Sequence, residues 1–305
     1  MDELGGLLAS AGARFAGADR GALATALAFQ GGNVFFRALA WRNVLAAAYP
    51  RERVPLLGVG ASYAAGMALN GFVPARAGEA LKIALVRTQI RNSSVVTIAA
   101  AGTVILVLDA VLGALFLGLT FWCGVLPAPP RVGLVASVGA HPLTTAGVAL
   151  ALAAIAALAV RRFGSRGRSF VAKLARGGAI LRSPGAYLAR VVLPQLGAWA
   201  CRAGVAFSLL VAFGLPATVP LALLVVVAGG VSTLVPGTPG GAGTQQLLLV
   251  YALGAVASTS AALSFSIGMQ VGITAVNSLV GVAALMLLTR SLRPFRAVRA
   301  LRTRA

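Results

Sequence analysis

The chain is poor in the residues that most enzymes and soluble domains need. Among 305 residues it has six acids, one histidine and two cysteines. Cys123 and Cys201 lie far apart in apolar runs, without the close spacing of a metal site, and read as packing residues. His141 stands beside Pro142 and has no acidic neighbours to complete a ligand set. No glycine-rich segment is followed by the Gly-Lys-Ser/Thr of a nucleotide loop. No polar stretch is long enough to fold into a soluble catalytic domain. These absences exclude the common metal, nucleotide and paired-carboxylate chemistries and predict no cofactor, no metal and no catalytic residue.

What the chain has in abundance is apolar residues. Hydrophobic residues make up 59% and charged residues 10%, and the mean hydropathy is +0.91. A soluble domain typically has about a quarter of its residues charged. Uncharged runs such as residues 142–160 (PLTTAGVALALAAIAALAV) are long enough to cross a hydrocarbon core of about 30 Å as a helix. A barrel strand would alternate apolar and polar residues, and these runs do not. The predicted fold is therefore an all-α integral membrane protein, a polytopic helical bundle.

The formal net charge is +20. In a soluble protein this would suggest nucleic acid, but here the basic residues fall in short polar segments between apolar runs, as the positive-inside rule expects, and no nucleic-acid partner is predicted. They are also suited to anionic lipid headgroups. Residues 161–182 carry seven basic residues and no acid, and the tail 290–305 carries six arginines. Both read as cytoplasmic, in a multi-pass protein of the cell membrane with a cytoplasmic C-terminus. No cleavable leader is expected, because the first apolar run begins near Ala22 and continues as a membrane segment.

After a lead-in at 1–20, spans are expected at about 22–48, 54–72, 94–122, 142–160, 190–213, 217–235 and 260–289. Gly31, Gly32 and Asn33 are expected to interrupt the first. Two further segments, 74–89 and 236–254, are broken by proline, glycine or charge and either span or re-enter. The order span, span, broken segment, long span occurs at about 22–122 and again at 190–289, with opposite orientation required by the basic loops. That is the pattern of an inverted repeat, in which broken segments build the site.

The first broken segment follows Asn70 and carries Pro74, Arg76, Gly78, Glu79 and Lys82. Pro74 suits a first helical turn, and free N–H groups there with Arg76 suit an anion such as a phosphate. Arg76 and Glu79 are three apart and can pair, so a purely structural interfacial helix is the other reading. The second reads PGTPGGAG over 236–243, with Pro236, Gly240, Gly241 and Gly243, and opens a new helix at Thr244 and Gln245. Its backbone amides can cradle a phosphate or sugar, or its glycines can let helices pack closely. Arg37, Asp109, Arg202 and Asn277 lie inside spans, where charged groups face the bundle interior. For these a structural Asp–Arg tie and a substrate contact are both open.

Together the two segments resemble the signature motifs of the lysylphosphatidylglycerol synthase/flippase membrane-domain family, which includes the flippase half of the bacterial multiple peptide resistance factor. Asn70, Pro74, Arg76, Gly78 and Glu79 match the first motif and residues 236–243 the second. Trp41-Arg42 and Asp109 fit as well. Gln245 stands where family members often carry an acid. The resemblance spans about residues 20–290 and implies a lipid-handling protein without the soluble domain that aminoacylates phosphatidylglycerol. The expected activity is translocation of a phospholipid, an aminoacyl-phospholipid or a polyprenyl-linked lipid between leaflets. The expected partners are membrane lipids, with a second copy of the chain or a lipid-modifying enzyme as further candidates. Two competing readings remain: a membrane enzyme or its accessory subunit, with Glu79 and Asp109 as acid/base candidates, and a non-transporting scaffold.

Overall fold

A computed structural model describes residues 17–73, 77–122, 164–232, 241 and 243–289. Among these residues the chain is helical and has no strand. The helices are α1 (Arg20–Ala48), α2 (Leu56–Phe72), α3 (Ala77–Arg87), α4 (Val95–Trp122) and α5 (Gly164–Gly177). They continue as α6 (Pro184–Ala212), then α7 (Val219–Ser232), α8 (Thr244–Leu253) and α9 (Thr259–Thr289). The predicted span at 142–160, the lead-in to residue 16, Cys123, His141 and the basic tail lie outside the described residues.

Three helices, in α4, α6 and α9, are long and apolar enough to cross a membrane. Outward faces such as Leu106, Val111 and Leu115 on α4 and Val271, Leu279 and Leu287 on α9 are exposed. Water would penalise such continuous apolar faces, and lipid satisfies them. The chain is an all-α membrane protein.

Local sequence sets the helix ends and bends. Asp19 caps α1 by accepting from the Ala22 N–H at 2.9 Å. α6 begins with Pro184 in its first turn and passes through a π turn at Leu188–Val192, just before Pro194. Pro194 has no N–H to give the Arg190 carbonyl, and the Asn43 side-chain amide of α1 donates to that oxygen at 2.7 Å.

α1 is continuous through Gly31, Gly32 and Asn33, so the expected interruption does not occur. Gly32 serves packing instead, while Gly31 is exposed with open space beside it. A Cβ on Gly32 would lie 2.9 Å from the Cys201 sulfur of α6. Along the same seam Phe29 covers Gly204 and Phe36 covers Gly197. Residue numbers rise on α1 as they fall on α6, so the two helices are antiparallel. This is the most extensive helix pairing in the structure, followed by α2 with α9. Trp41, Val44, Leu45, Leu210, Leu249 and Phe265 belong to the core around it. Residues 164–177, inside the basic stretch, form helix α5, which packs along α4.

Candidate functional site

Two polar assemblies lie within this apolar bundle. The first is at the hairpin of α2 and α3. Asn70, near the end of α2, accepts from the Gly78 N–H at 2.8 Å and so closes the hairpin. Gly78 and Gly66 bring the two backbones together: a Cβ on Gly66 would lie 2.7 Å from the Gly78 carbonyl oxygen, and one on Gly78 would collide with the Gly66 carbonyl and the Asn70 side chain. Gly78→Val is therefore expected to cost about 1–3 kcal/mol, read as an earlier loss of the monodisperse peak when detergent-solubilised protein is heated before size exclusion.

Immediately after Gly78, Glu79 forms an ion pair at 2.6 Å with Lys82 one turn further on, with Lys82 buried and Glu79 about half exposed. The Lys82 ammonium also lies 4.7 Å from the centre of the Trp41 ring and 5.1 Å from that of Tyr63. An aromatic cage with one carboxylate holds a cation away from water. Tight packing of the hairpin thus fixes a charged pair whose acid still faces outward. Pro74 and Arg76 lie outside the described residues.

The second assembly crosses the bundle where α1, α4 and α6 meet. Arg37 grips Asp109 with two bonds, Nη1 to Oδ2 at 2.9 Å and Nη2 to Oδ1 at 3.2 Å. Gln195 and Trp199 of α6 donate to the same Oδ1 at 2.5 and 3.0 Å. Arg37 Nε donates to Asn33 at 3.2 Å, Asn33 to Gln30 at 3.4 Å, and Gln30 to Asn277 of α9 at 2.7 Å. Phe116 stacks on Trp199 with 4.8 Å between centroids. The Arg202 guanidinium lies 4.8 Å from the Trp199 centroid. Asp109 and Arg202 therefore come together, with Arg37 as the direct ionic partner of Asp109.

The second motif contributes through its described residues. Gly241 and Gly243 have φ of +78° and +84°, a left-handed conformation that strains any other residue. α8 starts at Thr244 as the glycine pattern predicts. The Gly243 N–H donates to the Gln246 side chain at 2.6 Å, and Gln246 in turn bonds Gln270 of α9. Gln245 is buried and Thr244 half-buried. Pro236 and Gly240 lie outside the described residues. Among the described residues, no hydrogen bond or ion pair joins this motif to the first.

The architecture can now be set beside known proteins. The family model of the lysylphosphatidylglycerol synthase TM region matches residues 6–296. The chain belongs to that family. Comparison with curated proteins and with solved structures gives no match. The lysylphosphatidylglycerol synthase transmembrane region is the membrane part of lipid-related proteins, and this chain is a membrane protein of that kind. The α2–α3 hairpin, the second motif and the Asp109 cluster fall inside the matched residues.

Sequence reasoning singled out Asp109, Arg202, Arg37 and Asn277 because charge or amide inside a span is costly. It missed Gln30, Gln195, Trp199 and Tyr63, which complete the two assemblies. Only the helical spacing of Gln30, Asn33 and Arg37 on one face of α1 could have drawn attention to that part of the chain.

Proposed function

We propose that the chain is a lipid translocator of the cell membrane that moves a phospholipid, an aminoacyl-phospholipid or a polyprenyl-linked lipid between leaflets. The observation that carries this reading is the polar chain through the bundle, from Asn277 through Gln30, Asn33 and Arg37 to Asp109 and Gln195. Such groups are expensive in a membrane unless something polar uses them. A headgroup can follow a polar lane while its acyl chains stay in lipid.

Helix pairing supports an inverted repeat as the mechanical basis. If α1 to α4 correspond to α6 to α9, the main contacts map onto one another. α2 with α9 becomes α7 with α4, α1 with α2 becomes α6 with α7, and α2 with α3 becomes α7 with α8. α1 and α6 exchange places across their own antiparallel seam. Rocking of one half against the other would alternate access. The basic stretch 161–182 and the tail would lie in the cytoplasm.

The enzyme reading finds less support. Asp109 is occupied by four hydrogen bonds from Arg37, Gln195 and Trp199, which tie it into the bundle and leave it little access to a substrate.

Scrambling of fluorescent phosphatidylglycerol and phosphatidylethanolamine in proteoliposomes tests the proposal. Glu79→Gln keeps the shape of the hairpin and removes its outward charge. A lost charge-assisted contact of about 1.5–3 kcal/mol corresponds to roughly a tenfold or greater fall in rate. Wild-type liposomes no faster than empty ones for any lipid would reject translocation as an uncoupled activity and shift weight to the accessory role.

A further inference from the structure

Charge does not balance where α1, α4 and α6 meet. Arg37 pairs with Asp109, and Arg202 lies over the ring of Trp199, whose indole N–H donates to that same carboxylate. Asp109 is already engaged by Arg37, Gln195 and Trp199. Among the described residues, no carboxylate lies within ion-pair distance of Arg202, and no hydrogen bond compensates its guanidinium. The seam between α1 and α6 thus holds two guanidinium groups against one carboxylate, well inside a membrane-spanning helix.

An unmatched cation at such depth is costly. The ring of Trp199 covers part of the cost by cation–π attraction. It leaves the N–H groups at the guanidinium edge, which form a planar fork suited to two oxygens of one oxyanion. Arg37 cannot fill this role, since its fork is already on Asp109 and its Nε on Asn33.

We propose that Arg202, backed by Trp199, is the primary donor of an anion site that takes a phosphate-class oxyanion. The source is either the phosphodiester of a lipid headgroup or free phosphate. The inference builds on the lipid-handling reading above, but it is read by binding and not by transport. Wild-type protein that binds but does not scramble would count against the translocator and leave this site standing. Binding lost with scrambling intact would do the reverse.

The test is thermal unfolding of the full chain in nonionic detergent. The probes are dioctanoyl-phosphatidylglycerol, dioctanoylglycerol as the phosphate-free control, and sodium phosphate against sodium chloride at equal ionic strength. For wild type, dioctanoyl-phosphatidylglycerol raises the unfolding temperature by several degrees over dioctanoylglycerol. Arg202→Gln melts at or above wild type without ligand, because the unmatched cation is gone, and it loses the lipid-induced shift. Arg202→Lys keeps the charge without the fork and retains part of the shift. A phosphate shift as large as the lipid shift assigns the site to a free anion, and a much larger lipid shift assigns it to a headgroup. Three results overturn the proposal: equal lipid shifts in wild type and Arg202→Gln, no shift with either anion, or a ligand-free Arg202→Gln that melts well below wild type. The last would make Arg202 a strut already satisfied within the protein.

Discussion

Asp109→Asn is expected to destabilise the protein by up to about 3–5 kcal/mol, because removing one member of a largely buried ion pair strands the other. The loss extends beyond the Arg37 pair. Trp199 and Gln195 also donate to Asp109 Oδ1, and an asparagine placed there presents its own N–H groups to some of those donors. Arg37→Met alone should cost a similar amount by leaving the carboxylate unpaired. The double variant Arg37→Met/Asp109→Leu removes both charges and should recover most of the loss, since apolar groups of similar size replace buried ion pairs at little cost. Thermal unfolding of wild type, Arg37→Met, Asp109→Leu and the double variant in one detergent closes the cycle and gives the coupling. If the double variant lost as much as the two single losses together, the pair would not be the structural tie described above, and Asp109 would hold the helices mainly through Gln195 and Trp199.

This cluster also marks how far the sequence could be read. Arg37 and Asp109 were conspicuous because they are charges in apolar runs, and such charges turn inward. That they meet is a fact about how α1 crosses α4, and no spacing within either helix encodes it. Gln195 and Trp199 are ordinary residues for a membrane helix and become notable only once they reach Asp109. The first hairpin shows the same division. Glu79 and Lys82 are three apart and share a helix face by spacing alone, whereas the aromatic cage of Lys82 comes from Trp41 on α1 and Tyr63 on α2.

The one clear misreading, at Gly31, Gly32 and Asn33, has a physical reason. Glycine is a poor helix former in water, but in a membrane helix it lets a neighbour approach. Here it makes room for Cys201. Composition cannot separate a break from a notch. By contrast, the start of α8 at Thr244 was legible because Gly241 and Gly243 take φ values open mainly to glycine.

The same notch offers a direct test of movement between the halves. A Cβ built on Gly32 lies 4.0 Å from the Cys201 Cβ, within the usual range of about 3.5–4.5 Å for a disulfide. Gly32→Cys in a Cys123→Ala background should therefore cross-link to Cys201 under a membrane-permeant oxidant, detected as loss of maleimide-reactive thiols. If translocation rocks one half against the other, the α1–α6 seam is where the first helices of the halves must slide. Oxidation should then bring scrambling down to the rate of protein-free liposomes, and reductant should restore it. The reduced variant, with its bulk unchanged, is the control for simple overpacking of the notch. Full scrambling by cross-linked protein would mean that α1 and α6 travel as one body. The antiparallel seam would then be the fixed axis of the fold, and alternating access would have to come from the α2–α3 and α7–α8 pairs moving against it.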